Sequence, residues 1–375
     1  MAETVTVPVA TLQDYITRIF EAAGVVHEEA ARTTHHLLGA NLAGHDSHGI
    51  IRVPRYVQWL QEGKVFAGRT ITVVTESPTH AVVDGNVGLG QTVAPLAVDL
   101  GIRKAKASGL AVVTLRNAGH IGRVGDWAER AAEAGLVSIH FVNVGLGQIV
   151  APFGGVERRF GTNPFSIGVP QPGAPPLILD MATSVVAEGK VLVASNGGKP
   201  IPADALVTED GRLSNDPAVF YGPLEANTIR DPGNGTGSLR AFGEHKGSGI
   251  AFMCEILAGC FAGSPTAGPL PGGKRAGIVN GMLSIYLDPA HFGASGFAQT
   301  AREFAEYVKA SRPMQKGGEV LVPGEPEARN RETRLRDGIP LQADTWAAIQ
   351  RTGASLGVAS PSPSGLGAQS APRAG

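Results

Sequence analysis

A histidine, an arginine and a tyrosine recur at a spacing of four residues near the N-terminus. His48, Arg52 and Tyr56 stand at i, i+4 and i+8, which places them on one face if the segment is helical. Pro54 fits a helix only in its first turn, so the helix is expected to begin near Ile51 with His48 on the preceding turn. Arginine can hold a carboxylate by two parallel hydrogen bonds, and histidine exchanges a proton near neutral pH. The pair His48 and Arg52 therefore suits a 2-oxo or 2-hydroxy acid, with Tyr56 favoured as a packing residue.

Two other interpretations of this segment stay open. Four histidines fall between His35 and His48, and the run Gly44–Gly49 holds two histidines and an aspartate that could bind a metal ion. H-x-x-H has no further group of ligands beside it, so a metal-dependent hydrolase or lyase is the weaker hypothesis. The histidines could also simply cap and pack a helix junction, and a non-catalytic small-molecule-binding or scaffold protein is a further hypothesis.

Two further histidines lie beside glycines. His120, in the segment Asn117–Gly122, follows an apolar strand-like run, and its glycines would let a ligand approach the backbone. An ordinary turn is the alternative. His245 precedes a predicted helix, where free N–H groups and Lys246 would suit a phosphate or pyrophosphate.

Composition excludes several classes of protein. With 32 Lys and Arg against 33 Asp and Glu, the net charge of −1 argues against a nucleic-acid partner. The 43% apolar and 17% charged content excludes global disorder. The 51 glycines show no G-X-Y period, which excludes collagen and fits the close backbone approaches that nucleotide-binding enzymes need.

The start of the chain and the two cysteines indicate in which cellular compartment the protein is expected. The start lacks a basic and apolar leader, and no apolar run approaches the roughly 20 residues that span a bilayer. We therefore expect a cytoplasmic protein with no membrane partner. Cys254 and Cys260 form neither a C-x-x-C motif nor a zinc framework, and we expect them to be buried structural thiols.

The standard nucleotide motifs are missing. Two similar stretches, GLGQTVAP and GLGQIVAP, fail the G-x-G-x-x-G fingerprint because Val93 and Val150 replace its third glycine. We interpret their similarity as coincidence, since they lie in different contexts. A P-loop is also absent from the sequence, and we expect no nucleophile elbow, so any nucleotide must bind by another route.

Hydrophobic spacing predicts helices at both chain ends and an α/β middle. The first helix has a capping-box pattern at Thr11 and Asp14 and a stop at Gly24. Further helices are expected at about 28–43, 51–61, 94–108, 126–134, 248–262, 301–311, 327–338 and 344–353. Strands are expected at about 71–76, 80–85, 110–115, 136–144, 176–180 and 282–287.

These segments together resemble the malate/L-lactate dehydrogenase superfamily of the non-Rossmann type. The matching pieces occur in family order from about residue 10 to 356: NLAGHDSHGI with Arg52 and Tyr56, NAGHIG, FGTNPFSIGVP, LILDMATS followed by AEGK, EHKGSGIAFMCEILAG, LVPGE and DGIPL. The forms GANLAGHDSHGI and FGEHKG are most similar to the hydroxycarboxylate dehydrogenase B subgroup, which reduces 2-oxo acids with NADH.

The resemblance implies an α/β fold with a non-Rossmann, mixed-sheet NAD(P)-binding domain and a helix-rich domain built from both chain ends. It implies a helix-rich substrate and dimerisation domain at 5–116 and 292–358, and a cofactor domain at 117–291. A disordered tail is expected at 359–375. A homodimer or higher homo-oligomer, acting on a small-molecule substrate, is also implied.

The resemblance assigns His48 as the proton donor and Arg52 as the carboxylate-binding residue, with His120 a second candidate for catalysis. It implies NAD, used as NADH, with NADP as the alternative. The residues expected to contact the cofactor are His48, His120, Gly122, Arg123, Val124, Ile178, Leu179, Asp180, Met181, Ala182, His245, Lys246, Asn280, Gly324, Glu325, Pro326 and Glu327.

The implied reaction interconverts 2-oxo and 2-hydroxy acids, including aromatic ones such as phenylpyruvate or hydroxyphenylpyruvate. Malate, lactate, ureidoglycolate and cyclic imino acids are alternatives handled by similar chains. One departure from the family pattern is the Gly- and Pro-rich insert between Tyr221 and Arg240. We expect either an inert surface loop or a lid there.

Overall fold

The elements of this chain are those of a computed structural model, which describes residues 4–195, 197–224, 230–269 and 279–361. The helices are α1 Val9–Ala22, α2 His27–Leu42, α3 Val53–Gln61, α4 Gly90–Ser108, α5 Gly125–Glu133, α6 Glu188–Ser195, α7 Pro217–Tyr221, α8 His245–Cys254, α9 Phe297–Lys309, α10 Glu325–Asp337 and α11 Ala343–Ser355. The strands are β1 Thr4–Val7, β2 Thr72–Glu76, β3 His80–Asp84, β4 Leu110–Ala118, β5 Val137–Gly145, β6 Val150–Ala151, β7 Phe165–Val169, β8 Leu177–Met181, β9 Leu206–Val207, β10 Leu213–Ser214, β11 Ser238–Arg240, β12 Val279–Leu287 and β13 Ile339–Gln342. Single 3₁₀ turns lie at Asp46–His48, Ile50–Arg52 and Pro232–Asn234, and a π-helical segment, Glu255–Phe261, continues α8.

The described residues divide between two compact units. Unit 1 takes residues from both chain ends, up to Gly68 and from Glu327 onward, and unit 2 is Arg69–Pro326. The domain boundaries expected from the sequence, at 116/117 and 291/292, instead fall inside unit 2. They differ because β3 and β4 pair into the same sheet as β12 and β5. Most of the expected tail, from residue 362 on, lies outside the described residues.

The described part of unit 1 contains helices and a short two-stranded sheet. Leu12, Ile16 and Phe20 form the buried face of α1, as their spacing predicts. The predicted capping box is wrong, because α1 begins at Val9 and has no side-chain cap. At the other end of the unit, β13 pairs antiparallel with β1 and leads into α11.

A mixed seven-stranded sheet organises the described part of unit 2. Its strand order is β2-β3-β4-β12-β5-β7-β8, with β3 and β4 parallel and every other neighbouring pair antiparallel. The connection between the parallel strands contains α4, and Val113, Leu115, Trp127 and Met282 belong to the apolar core beside the sheet. The chain therefore has the mixed α/β architecture that was expected.

A second, four-stranded sheet in unit 2 has the order β10-β9-β11-β6. The Gly- and Pro-rich insert lies beside it, with residues 225–229 outside the described part. Arg158 holds the rest of the insert: its Nε donates to the Gly237 carbonyl at 2.8 Å and its Nη2 to the Gly235 carbonyl at 3.0 Å. Its guanidinium also lies 4.8 Å from the centre of the Phe220 ring. These residues are thus anchored to the unit through one arginine.

The π-helical segment separates the two cysteines. Cys254 is buried, and burial raises the pKa of its thiol to about 12. Cys260 is exposed, so the expectation of two buried thiols is wrong for this residue. Six residues are not a whole number of turns, so the two side chains leave the helix on different sides. No helix within the described ranges is both long enough and apolar enough to cross a membrane.

Candidate functional site

The histidine-rich loop of unit 1 brings the two predicted acid-binding and proton-transfer residues together. It consists of two consecutive 3₁₀ turns, so α3 begins at Val53, two residues later than predicted, with Pro54 in its first turn. Arg52 donates through Nε to the carbonyl of Ser47 at 2.7 Å. The hydroxyl oxygen of Ser47 lies 3.2 Å from Nδ1 of His48. The loop carbonyl, rather than helical spacing, sets the position of Arg52 relative to His48.

Asn41 is a buried residue near the end of α2, and its side chain forms hydrogen bonds with two residues of this loop. Its Nδ2 donates to Asp46 at 2.6 Å, and its Oδ1 accepts from the amide of Ile50 at 2.8 Å. A Cβ at Gly49 would lie 2.1 Å from Oδ1 of Asn41. Glycine at position 49 is therefore needed for the loop to approach Asn41 so closely. Sequence reasoning missed Asn41, because no spacing links it to the loop.

Two residues of α10 hold the other side of the loop. Arg334 donates to both carboxylate oxygens of Asp46, at 2.6 and 3.1 Å, and also to the carbonyl of Asn41. His45 Nε2 lies 3.2 Å from a carboxylate oxygen of Glu327. Asp46, considered from the sequence as a metal ligand, thus binds an arginine. Within the described ranges, no group of three or more His, Cys, Asp or Glu side chains could hold a metal ion.

Tyr56 lies in the core of unit 1. Only 1% of its surface is exposed, and its ring stacks on Trp59 with centroids 5.7 Å apart and tilts against Phe20 at 6.4 Å. This agrees with its interpretation as a packing residue.

In unit 2, a bulge at the end of β4 redirects the chain toward His120. The β4–β12 register passes from Leu115↔Met282 to Ala118↔Asn280, which leaves one extra residue in β4. Asn117 takes the left-handed conformation at φ 51°, which asparagine tolerates better than most residues. Such bulges commonly re-aim a side chain beside an active site.

The turn that carries His120 is fixed by contacts from two other segments. Asn280 accepts a hydrogen bond from the amide of Ile121 at 2.9 Å, and Gln91 Nε2 donates to the His120 carbonyl at 3.3 Å. A Cβ at Gly90 would lie 2.2 Å from that carbonyl oxygen, so the start of α4 touches the turn. Gly90 and Gln91 belong to GLGQTVAP, the repeated stretch that sequence reasoning set aside. The two copies do differ in structure, since the second enters β6.

Arg123 follows this turn, and its buried guanidinium forms ion pairs with carboxylates of the same unit. Its side chain lies 3.0 Å from Asp126, 2.8 Å from Glu129 and 3.4 Å from Asp180. Burial alone would lower the pKa of Arg123, but the three carboxylates outweigh it and raise that pKa above its usual value. The guanidinium therefore stays charged and joins the turn to β8. Any cofactor contact at position 123 would have to come from the backbone.

Strand β8, which holds Asp180, also contacts the chain just before α10. β8 is an edge strand, and its Ile178 amide donates to the carbonyl of Pro323 at 3.2 Å. Gly324 adopts φ +96°, and a Cβ there would lie 3.0 Å from the carbonyl of Pro176. Glu325 pairs with Lys309 at 2.7 Å. The predicted cofactor segments 178–182 and 324–326 thus lie side by side.

His245 and Lys246 are exposed in the first turn of α8. The expectation of free amides here is wrong for two positions, because Lys246 N donates to Gly243 and Gly247 N donates to Phe242. Both amides therefore form hydrogen bonds within the tight turn that precedes the helix. The amide of Phe242 donates to Thr183 at 3.0 Å, which brings the start of α8 beside the end of β8.

The predicted site residues are divided between the units. His48, Arg52 and Glu327 belong to unit 1. The members in unit 2 are His120, Gly122, Arg123, Val124, Ile178, Leu179, Asp180, Met181, Ala182, His245, Lys246, Asn280, Gly324, Glu325 and Pro326.

Comparison with known proteins assigns the chain to a family. The family model of malate/L-lactate dehydrogenases matches residues 7–350. Hydroxycarboxylate dehydrogenase B of Escherichia coli (strain K12) is 42% identical over 351 residues, 93% of each chain. The structure of malate dehydrogenase from Pyrococcus horikoshii OT3 is similar with a TM-score of 0.83 at 29% identity, covering 96% of this chain and 99% of that one. For delta1-piperideine-2-carboxylate reductase from Pseudomonas syringae the TM-score is 0.78 at 29% identity, covering 92% and 99%.

The mixed sheet and these relatives define a protein of the hydroxyacid dehydrogenase class. The chain belongs to the malate/L-lactate dehydrogenase family.

Proposed function

We propose that this protein is an NAD(P)-dependent oxidoreductase that interconverts 2-oxo acids and 2-hydroxy acids. The observation that carries the proposal is the arrangement of Arg52, Ser47 and His48 in a chain whose family match spans residues 7–350. Nε of Arg52 bonds to Ser47, so the two terminal nitrogens of the guanidinium are the groups assigned to the substrate carboxylate.

His48 supplies the proton to the developing alkoxide in this proposal. Ser47 lies beside Nδ1, and we assign the proton exchange to Nε2. His120 is the alternative proton donor, since its turn is fixed by Asn280 and Gln91. Arg52 contributes orientation and charge stabilisation at the acid.

We assign a nicotinamide dinucleotide to the residues of unit 2, with NADH as the first candidate and NADPH as the alternative. Gly122 adopts φ +74°, a conformation that glycine takes without strain, so the turn after His120 can form at this position. The edge strand β8 offers further backbone groups, and the sheet lacks the all-parallel order of a Rossmann fold. When bound, the cofactor would supply a hydride from nicotinamide C4 to C2 of the acid. Gly122–Val124, Ile178–Ala182 and Gly324–Pro326 are the segments assigned to hold it.

The experiment mixes the purified protein with NADH or NADPH and one candidate substrate at a time, and follows the loss of reduced-nicotinamide absorbance. The panel contains phenylpyruvate, hydroxyphenylpyruvate, pyruvate, oxaloacetate and a cyclic imine. Turnover of a 2-oxo acid is the expected result, with the aromatic acids preferred. Turnover of the cyclic imine alone would favour the reductase activity named for the Pseudomonas syringae relative. If every compound fails with both cofactors, the proposal is wrong.

We also propose that the chain forms a homodimer or a higher homo-oligomer. Phe252, Ile256 and Phe261, on α8 and the π-helical segment, expose 54%, 37% and 70% of their surfaces. Several large apolar side chains exposed along one helical stretch favour an interface. Light scattering of the purified protein should give a mass of at least twice 38.7 kDa. A monomeric mass at micromolar concentration would contradict this.

A further inference from the structure

Glu255 is a buried carboxylate that none of the assigned roles uses. It begins the π-helical segment, and only 7% of its surface is exposed. Three N–H groups donate to it: Asn163 Nδ2 at 2.8 Å, Asn143 Nδ2 at 3.0 Å and the amide of Ala267 at 3.0 Å. Burial raises the pKa of this carboxyl group, and the hydrogen bonds partly oppose that rise. A buried carboxyl group that accepts three hydrogen bonds at the start of a π-helical segment is typical of a functional constraint.

A continuous path of hydrogen bonds leads from Glu255 to the turn that carries His120. Asn143 donates to Glu255 through its side chain, and its backbone carbonyl accepts from Asn280 Nδ2 at 2.8 Å. The Oδ1 of the same Asn280 accepts from the amide of Ile121 at 2.9 Å. Every member of the path belongs to unit 2, and Asn143 and Asn280 are both buried.

The packing leaves this path little freedom. Asn143 Oδ1 accepts from the amide of Gly281 at 3.0 Å, which fixes the start of β12 beside Asn280. A Cβ at Gly281 would lie 1.9 Å from the carbonyl oxygen of Ala258, so the π-helical segment rests directly on β12. A shift of the segment would therefore move the strand that holds the His120 turn.

We infer that Glu255 is a positioning residue for the His120 turn, acting through Asn143 and Asn280. Its effect on turnover rests on the proposed function, but its effect on the turn does not. A carboxylate suits this position because it accepts several hydrogen bonds and donates none. Glutamine has the same shape, but its amide would put an N–H group against one of the three donors.

The test compares Glu255→Gln with the wild-type protein in two measurements. The first is the steady-state kcat and KM for NADH and for the best 2-oxo acid. The second is hydrogen–deuterium exchange of the peptide containing the Ile121 amide, which needs no activity. Ser284→Ala is the matched control. Ser284 is a buried β12 residue bonded to His140 at 2.8 Å, and it has no part in the path to Ile121.

We expect Glu255→Gln to lower kcat about tenfold, with KM for the acid within about twofold, because misplacement far from the reacting atoms lowers turnover. Exchange at Ile121 should accelerate by about the same factor. Asn280→Ala should accelerate it at least as much, and adding Glu255→Gln to that variant should have no further effect, since both act on one path.

Two results would overturn the inference: unchanged exchange at Ile121 in Glu255→Gln, or an equal acceleration in Ser284→Ala. The second result would mean that removing any buried polar group from this sheet loosens the His120 turn. Absence of turnover in the wild-type protein would instead count against the proposed function, while the exchange measurement would still decide the role of Glu255.

Discussion

Arg52 donates a hydrogen bond of 2.7 Å to the backbone carbonyl of Ser47, the residue directly before His48. The arginine assigned to the substrate carboxylate is thus tied to the chain that carries the proposed proton donor. Because one residue bonds to both side chains, a change that displaces Ser47 should disturb carboxylate binding and proton transfer together.

His48→Ala should lower turnover strongly while leaving NADH binding nearly intact. A general acid contributes about 10²- to 10⁴-fold to the rate, so kcat should fall by about that factor. Stopped-flow assays and NADH fluorescence titration measure the two effects. His27→Ala, at an exposed histidine on α2, is the control and should behave as wild type. An unchanged kcat in His48→Ala would remove this residue from the mechanism.

Arg52→Lys should raise KM for the acid by about 30- to 100-fold, since lysine lacks the planar fork that binds a carboxylate and one charged hydrogen bond contributes about 1.5–3 kcal/mol. KM for NADH should change little. The control is Arg55→Lys, at an exposed arginine of α3 that bonds to Gln58. If KM for every acid in the panel stays the same, Arg52 does not bind the carboxylate.

Gly49→Ala should lower both activity and stability, because its Cβ would lie 2.1 Å from Oδ1 of Asn41. Asn41 would have to give up its bonds to the loop, at a cost of about 1–3 kcal/mol for buried groups left unpaired. Urea unfolding and kcat/KM measure the outcome. Gly39→Ala, where a Cβ in α2 meets nothing within 4 Å, should be neutral or slightly stabilising. Equal stability and equal kcat/KM in the two variants would contradict the close contact between Gly49 and Asn41.

Gly90→Ala should weaken NADH binding and lower kcat, because its Cβ would lie 2.2 Å from the carbonyl oxygen of His120. The turn before Gly122 would have to move, by a displacement that typically costs about tenfold or more in rate. Gly249→Ala in α8, with nothing within 4 Å of the added Cβ, serves as the control. NADH titration of both variants checks this. Wild-type affinity in Gly90→Ala would argue that this turn does not contact the cofactor.

Acid should destabilise the protein through His140. Burial between Ser138 and Ser284 lowers the pKa of this histidine to about 3. In the unfolded chain it binds a proton below about pH 6.5, so the free energy of unfolding falls as the pH drops from about 6.5 toward 3, by about 1.4 kcal/mol per unit.

His140→Gln should remove that part of the pH dependence. Urea unfolding of both proteins at pH 6.5 and at about pH 5 measures the difference in slope, since other titrating groups contribute equally to both. Parallel pH dependences would show that His140 is not the neutral buried group described.

The sequence by itself determined the helices and strands whose apolar spacing is regular, the first-turn position of Pro54, and the family. It also singled out His48 and Arg52 as candidate site residues from their types and their family motif. These are local properties, which chain geometry and side-chain type set without distant partners.

Only the tertiary structure decided what holds those residues in place. Asp46 bonds to Arg334 across 288 residues of chain, and Ile121 bonds to Asn280 across 159. The family resemblance implied that Arg123 contacts the cofactor. In the structure its side chain is instead surrounded by three carboxylates. Such partners meet because sheet pairing and core packing bring distant segments together, and neither leaves a fixed spacing in the sequence.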